Sequence, residues 1–139
     1  MTFTGRIEDR LAIRELLETY ADAVFRRDAD AWIACWTEPA RWEIGGKVIA
    51  GRDQLVPAWK AAMAPFAFAD FQVQPGAIAV EGDRATVRSY TREFFRLDGG
   101  GMRHISGRYD DALIRTDRGW RFTERRYQLL SDEVVPAAG

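Results

Sequence analysis

The chain has 139 residues, of which 47% are hydrophobic and 29% are charged, and its formal net charge is −1 at pH 7. This size and composition are typical of one folded domain, and the interspersed charges argue against partners such as nucleic acid or a membrane surface. The single cysteine and single histidine exclude an intrachain disulfide and argue against a structural zinc site.

The first quarter of the chain has the pattern of two helices. Apolar residues recur at helical spacing over Ile7–Arg27, which predicts a long first helix. Asp30 is a suitable N-cap for a short second helix over Ala31–Trp36, which Thr37-Glu38-Pro39 would end. This part of the chain is therefore expected to be helical throughout.

A hairpin and a third helix are predicted next. Ala40, Trp42 and Ile44 alternate with charged residues, and Gly45-Gly46 forms a tight turn into Lys47–Ala50. Gln54–Met63 then has helical character, and Pro57 is tolerable near its first turn.

The second half of the chain is predicted to be an antiparallel meander of long strands. The strands are expected over Phe68–Val80, Ala85–Leu97, Met102–Arg115 and Trp120–Leu130. Pro75-Gly76 indicates a bulge or an edge in the first of them, and the tail Ser131–Gly139 is expected to be loosely ordered.

Together these elements predict an α+β fold in which three helices pack on a strongly curved antiparallel sheet and enclose a pocket. One domain is expected over residues 1–139, with an ordered core over about residues 6–130. Met1–Ile7 lacks the apolar stretch of a signal peptide, and no apolar run approaches the ~18–20 residues of a membrane span, so a cytoplasmic location is expected.

Four stretches of the chain, in their order and spacing, resemble the SnoaL-like proteins of the nuclear transport factor 2-like superfamily. They are Tyr20 followed by Asp28, WTEPARWEIGG over Trp36–Gly46, IAGRD over Ile49–Asp53, and GRYDDALIRTDRGWRF over Gly107–Phe122. The resemblance covers nearly the whole chain and implies the cone-shaped α+β fold of that superfamily. Since this fold carries dehydratases, dehydrochlorinases, isomerases, cyclases, dioxygenase β subunits and binding domains, it does not define the function.

Two residues are the catalytic candidates. The resemblance implies that Tyr20 polarises a carbonyl or hydroxyl of the substrate, although a tyrosine in the apolar stripe of a helix is also an ordinary core residue. Strand alternation places Asp111 on the same face as Tyr109 and Arg115, which the resemblance makes the pocket face. Asp111 would be an acid or base there, oriented by Arg115 or Tyr109, or it would simply pair with Arg115 or with a group on a helix.

Further residues are candidates for contacting a ligand. Trp42, Ile44 and Phe25 would form an apolar wall, while Tyr109, Arg115, Gln72, Ser89 and His104 would supply polar contacts. His104 has the opposite parity to Asp111, which favours a rim or solvent position unless a bulge after the glycines reverses the parity.

The catalytic pair of the related enzymes is missing. The resemblance implies an aspartate near Phe25 and a histidine within Phe71–Gln74, and the general base of the isomerases falls at about Ile44. A glutamine cannot take a proton at neutral pH, so Gln72 or Gln74 could only orient a ligand. Dehydration by an aspartate–histidine pair is therefore not expected.

Two functions remain open from the sequence. The first is a lyase, isomerase or cyclase that acts on a small hydrophobic oxygenated compound, such as a polyketide or terpenoid, without metal or organic cofactor. The second is a ligand-binding or subunit-pairing domain, including a role like that of a dioxygenase β subunit. Arg88, Tyr90, Arg92 and Phe94 are expected on the outer sheet face, where they favour a homodimer or homotrimer.

Overall fold

The computed structural model describes residues 1–138. The chain forms three helices and six strands: two helices precede the first strand, and the third lies between the second and third strands. The helices are α1 (Ile7–Arg26), α2 (Ala29–Ile33) and α3 (Arg52–Met63), and the strands are β1 (Trp36–Ile44), β2 (Lys47–Ala50), β3 (Phe66–Glu81), β4 (Arg84–Leu97), β5 (Met102–Thr116) and β6 (Gly119–Val135). Within residues 1–138, no helix has the length and apolar character needed to cross a membrane.

The six strands form one sheet in the order β2-β1-β6-β5-β4-β3. Every pair is antiparallel except β1 and β6, which run parallel, so the sheet is mixed rather than antiparallel throughout. Between β1 and β6 the chain forms β2, α3 and the strands β3, β4 and β5. β6 then pairs with β5 on one side and runs parallel to β1 on the other. The predicted α+β class, with three helices on one sheet, is confirmed.

The second helix begins earlier than the sequence predicted. Arg27 adopts the left-handed conformation that ends α1, with φ of 53°, and leaves Asp28 as the first extended residue. Asp28, rather than Asp30, therefore caps α2, and its carboxylate accepts a hydrogen bond from the Ala31 amide at 3.0 Å. The predicted stop at Thr37-Glu38-Pro39 lies within β1.

The last strand extends further than predicted. Residues 131–135, assigned from the sequence to a loose tail, continue β6 and pair with the beginning of β5, ending with Val135 opposite Met102. Gly139, the end of the predicted tail, lies outside the described residues. The extension matters because it brings Asp132 beside Arg103.

Two of the irregularities in strand pairing bear on the predicted site residues. The register shifts between Pro75 and Ala77, as the Pro75-Gly76 pair predicted. A second shift leaves Thr123 as an extra residue in β6, between the pairs Leu113–Phe122 and Ala112–Glu124. A bulge of one residue reverses the alternation of side chains, so Arg125 and Tyr127 point to the inner face.

The core lies between the helices and the inner face of the sheet, and aromatic rings dominate its centre. The Trp32 and Trp59 rings stack at 5.0 Å between centroids, which joins α2 to α3. The ring of Tyr20 in α1 packs against Trp32, Trp36 of β1 and Phe122 of β6, with ring centroids 5.8–6.3 Å apart. Large aromatic rings contribute much of the buried apolar area of a small domain, so this cluster anchors all three helices to the sheet.

Candidate functional site

A cavity of about 460 Å³ lies between the helices and the inner face of the sheet. Its walls are mainly apolar and aromatic, as is usual for small-molecule sites. The lining includes Tyr20, Val24, Trp42, Ile44, Trp59, Met63, Phe66, Phe71, Phe95, Ile105 and Tyr109. Gly45, Ala62 and Leu129 also line it and are exposed, which marks the mouth between the β1–β2 turn, α3 and β6.

Glu93 of β4 is the acidic group on this wall. It is partly buried, and one carboxylate oxygen accepts hydrogen bonds from the Tyr127 hydroxyl at 3.1 Å and the Thr91 hydroxyl at 3.2 Å. Burial raises the pKa of Glu93, and the two hydroxyl donors offset only part of that effect. A carboxyl group with a raised pKa in an apolar cavity is a suitable proton carrier.

Arg103 of β5 is the basic group on the same wall. Its guanidinium forms a bidentate pair with Asp132, at 2.7 and 3.0 Å, and the two side chains remain 37% and 30% exposed. The bidentate pair occupies the Nε–Nη2 edge of the guanidinium. The cationic charge at the cavity is therefore already balanced within the protein.

Neutral hydroxyl groups lie deeper in the cavity. The Trp42 indole donates to the Tyr109 hydroxyl oxygen at 3.2 Å, so Tyr109 serves as an acceptor there and retains its own proton as a donor. Burial raises the pKa of Tyr20 and of Tyr109, so both remain protonated donors. Preorganised neutral donors of this kind stabilise negative charge that develops on a substrate oxygen.

Beneath these tyrosines is a buried ion pair. Arg125 of β6 donates to both carboxylate oxygens of Asp111, at 2.8 and 3.1 Å, and the two side chains are 1% and 0% exposed. The guanidinium lies 3.7 Å from the Tyr109 ring centroid and 4.4 Å from that of Tyr20. The pair therefore supports the tyrosines from below and is not among the residues that line the cavity.

The structure brings only some of the predicted site residues to the cavity. Tyr20, Trp42, Ile44 and Tyr109 line it. Phe25 does not, since it is 40% exposed and packs on Phe68. The reason is helical spacing: one turn after Tyr20 comes Val24, which faces the cavity, and the next residue turns away.

Other predicted residues lie elsewhere. Gln72 is exposed on the outer face of β3, where its amide donates to Asp70 at 3.3 Å. His104 is also on the outer face, and its ring packs edge-on against that of Phe94, with 4.6 Å between the ring centroids. Even strand positions put both side chains on the side away from the helices.

Ser89 and Arg115 share the inward parity but are not among the residues that line the cavity. Ser89 is fully buried, and its hydroxyl has no hydrogen-bond partner among residues 1–138. Arg115 lies at the far end of β5 and pairs with Asp9 at 2.7 Å and Asp83 at 2.9 Å. The expectation that Arg115 orients Asp111 is therefore wrong, because Arg125 from the neighbouring strand takes that place.

Sequence reasoning missed Glu93, Arg103 and Tyr127. A signal was present for Glu93, because it has the same odd parity in β4 as Ser89, which was expected to contact a ligand. Arg103 likewise has the parity of Tyr109 in β5. No local signal reveals Tyr127, whose direction depends on the bulge at Thr123.

The donor set at the cavity is suited to proton transfer and hydrogen bonding rather than to metal binding. Within residues 1–138, no group of three or more His, Cys, Asp or Glu side chains is arranged to hold a metal ion. The cavity combines one carboxyl group with neutral phenols in an apolar surrounding. This arrangement can move a proton and stabilise an oxyanion on one bound molecule.

Residues 5–126 match the profile of a family described as SnoaL-like domain. This match confirms the resemblance inferred from the sequence motifs. A comparison with curated proteins gives no significant match.

Solved structures share the fold over almost the whole chain. A protein from Novosphingobium aromaticivorans, provisionally described as an aromatic ring hydroxylase, is 27% identical with a TM-score of 0.86, covering 95% of this chain and 96% of its own. Rv3472 from Mycobacterium tuberculosis, a protein of unknown function, is 28% identical with a TM-score of 0.82, covering 90% of this chain and 78% of its own.

A more distant structure shows how far the fold extends. A protein from Streptomyces avermitilis, provisionally described as a dehydratase of the nuclear transport factor 2-like family, is 16% identical with a TM-score of 0.82, covering 91% of this chain and 99% of its own. At this identity the likeness concerns the fold alone.

Proposed function

The chain belongs to the SnoaL-like domain family, and we propose that it is a proton-transfer enzyme of the lyase or isomerase class. Its substrate is a small, uncharged, mainly apolar molecule that carries a carbonyl or hydroxyl oxygen. The observation that carries the proposal is Glu93, a partly buried carboxyl group at the wall of an apolar cavity.

Glu93 is the proposed acid–base group. Its raised pKa makes the carboxylate a stronger base than an exposed glutamate, and the cavity excludes much of the competing water. The Tyr127 and Thr91 hydroxyls hold one carboxylate oxygen, which leaves the other oxygen for a substrate proton. Glu93 thus takes the role that the sequence suggested for Asp111.

Tyr109 and Tyr20 are the proposed oxygen-binding groups. When Glu93 removes a proton from the carbon next to a carbonyl, the electron pair moves to the carbonyl oxygen. A phenol that donates to this oxygen stabilises the resulting enolate, and the Trp42 indole fixes Tyr109 for that purpose. Asp111 is proposed to act indirectly, by holding Arg125 beneath the two phenol rings.

The charges at the cavity favour an uncharged ligand. Arg103 is already paired with Asp132, and Arg125 is paired with Asp111 and fully buried. An anionic substrate would have to displace one of these carboxylates and would also lie near Glu93. A neutral molecule meets no such cost, and the aromatic walls provide its apolar contacts.

Hydrogen exchange into a simple ketone tests the proposal without knowledge of the natural substrate. The probe is 1-tetralone, a neutral bicyclic ketone, incubated with the protein in deuterated water. Glu93 should remove an α-hydrogen, exchange it with solvent and return a deuteron, so that deuterium enters the ketone at a rate above the uncatalysed background. Incorporation is measured by mass spectrometry.

The matched variants are Glu93→Gln and Glu133→Gln. The first keeps the shape of the side chain but removes the base, and exchange should fall by about 100-fold or more. The second changes an exposed glutamate of β6 and should leave the rate unchanged. Equal rates for wild type and Glu93→Gln would refute the catalytic role of Glu93.

A purely binding function is the second candidate, and the apolar lining together with the missing aspartate–histidine pair favours it. In that case the protein binds 1-tetralone, by calorimetry, without accelerating exchange. Binding with no exchange would therefore decide for the second candidate.

The proposed assembly is a homodimer or homotrimer through the outer face of the sheet. Tyr90 is 40% exposed there, and Phe94 and His104 form an aromatic pair on the same face. Light scattering on the Tyr90→Glu variant tests this, since a buried charge at an interface should shift the protein toward monomer. An unchanged mass would argue against this face.

A further inference from the structure

Tyr127 reaches Glu93 by crossing a whole strand. Tyr127 is on β6 and Glu93 is on β4, and β5 lies between them. The Tyr127 hydroxyl nevertheless donates to Glu93 at 3.1 Å, which requires the phenol ring to lie flat across the inner face of β5. An ordinary side chain on β5 would stand in the path of this ring.

Gly107 occupies the crossing point. It pairs with Thr91 of β4 on one side and with Leu129 of β6 on the other. A Cβ atom built on Gly107 would overlap the hydroxyl oxygen and two ring carbons of Tyr127. The backbone of Gly107 is not in the left-handed region, so its conformation alone does not require glycine.

We infer that Gly107 is a positioning residue for the proposed acid–base group, because its missing side chain forms the slot through which Tyr127 hydrogen-bonds to Glu93. This inference deepens the proposed function of Glu93 and rests on it. A larger residue at position 107 lifts the phenol off the sheet and breaks the hydrogen bond. Glu93 then loses a donor that favours its charged form.

Most charged and titratable groups around Glu93 come from the strands. Tyr127 and Arg125 face it from β6, and Arg103 and Tyr109 face it from β5, with Asp132 paired to Arg103. Burial and the adjacent Glu93 raise the pKa of Tyr127, so the phenol stays protonated and acts as donor.

From the helices, Tyr20 is a titratable group at the same cavity, and burial raises its pKa so that it stays neutral. The other helical residues there are uncharged, namely Val24 of α1 and Trp59, Ala62 and Met63 of α3. Tyr127 is thus the neutral donor that the slot controls, and the other charges near Glu93 do not depend on Gly107.

The experiment measures the titration of Glu93 in the whole protein without any ligand. Glutamate side chains are labelled with ¹³C at the carboxyl carbon, and the Glu93 signal is assigned by its loss in Glu93→Gln. Gly107→Ala and Tyr127→Phe should both raise the midpoint of Glu93 by about one pH unit, since each removes the same hydrogen bond. Gly99→Ala, at a turn glycine with no atom near its Cβ position, should leave the midpoint unchanged.

A double variant tests whether Gly107→Ala acts through the Tyr127 ring or through a general effect on folding. In Tyr127→Ala the ring is gone, so adding Gly107→Ala should not lower the melting temperature further, whereas Gly107→Ala alone should lower it. An unshifted midpoint in Gly107→Ala, or a melting temperature that falls equally in both backgrounds, would overturn the inference.

This outcome is distinguishable from failure of the proposed function. If Glu93→Gln leaves deuterium exchange intact while the midpoint still moves in Gly107→Ala, the slot is real but Glu93 is not the catalytic base. If exchange depends on Glu93 but its titration midpoint does not move in Gly107→Ala, Glu93 is the base and Gly107 does not position it.

Discussion

Carboxyl groups in two different surroundings define the chemistry of this protein. Asp111 is sealed in the core by two hydrogen bonds from Arg125, whereas Glu93 has two neutral donors and an open cavity beside it. Burial raises the pKa of both carboxyl groups, but only Glu93 has access to a bound molecule. Access to the cavity, rather than proton affinity, therefore separates the proposed acid–base group from the structural one.

The buried pair should be necessary for stability. We expect Asp111→Asn to lower the free energy of unfolding by about 3 kcal/mol, because it leaves the Arg125 charge buried without a counterion. Asp110→Asn is the control: it pairs with Arg108 near the surface, where 36% and 44% of the arginine and aspartate side chains are exposed, so its loss should be much smaller. Urea denaturation of both variants measures the difference, and equal losses would show that the Asp111 pair has no special role.

The pairing of Arg103 should determine which ligands the cavity accepts. Asp132→Asn frees the guanidinium, so calorimetry should show tighter binding of 2-naphthoate, an anion, by about fivefold. Binding of the neutral analogue 2-naphthol should not change, nor should either affinity in Asp117→Asn, at an exposed turn. If 2-naphthoate gains nothing from Asp132→Asn, Arg103 does not face the ligand.

At the scale of elements, most helices and strands could be predicted, because each has its own period and each hairpin turn has its own glycines. The errors lie where one element depends on another. Asp30 looks like a helix cap, but the left-handed Arg27 makes Asp28 the cap. The pairing of Ser131–Val135 with β5 depends on a partner strand and leaves little trace in the local sequence.

The site residues also divide into those that the local pattern predicts and those that depend on a neighbouring strand. Tyr20, Trp42, Ile44 and Tyr109 could be placed at the cavity because the helical and strand periods are regular around them. The inward position of Arg125 could not be predicted. It results from the extra residue in β6, which is recognised only from the pairing of β6 with β5.

The cap assignment can be tested directly. Asp28→Ala should lower the free energy of unfolding by about 1 kcal/mol, since it removes the acceptor for the Ala31 amide. Asp30→Ala, two residues later in the same helix, should cost less than half as much. The two variants are compared by thermal denaturation, and the reverse order would restore the assignment made from the sequence.

At the scale of the whole molecule, the mixed sheet and the helices enclose a cavity whose walls come from elements far apart in the sequence. Its walls come from α1, α3 and five of the six strands. Such a cavity binds small molecules through its shape, and its chemistry depends on the few polar groups placed in it.

Blocking the mouth should abolish binding without harm to the fold. Ala62 is exposed and lines the cavity, so a tryptophan at this position in Ala62→Trp should block entry and remove the calorimetric signal of 2-naphthol. Ala61→Trp makes the same change one residue away on α3, at an exposed position outside the lining, and should bind normally. Normal binding by Ala62→Trp would place the ligand somewhere else on the protein.

The pH dependence of deuterium exchange into 1-tetralone tests the central claim most directly. Glu93 acts as a base only when ionised, so the wild-type rate should rise with pH and level off above a midpoint that lies higher than the ordinary value of 4.5. That midpoint should agree with the one from the ¹³C titration of Glu93, and Glu93→Gln should lack the rise altogether. A wild-type rate that does not change with pH, or a Glu93→Gln profile that matches the wild type, would contradict the account.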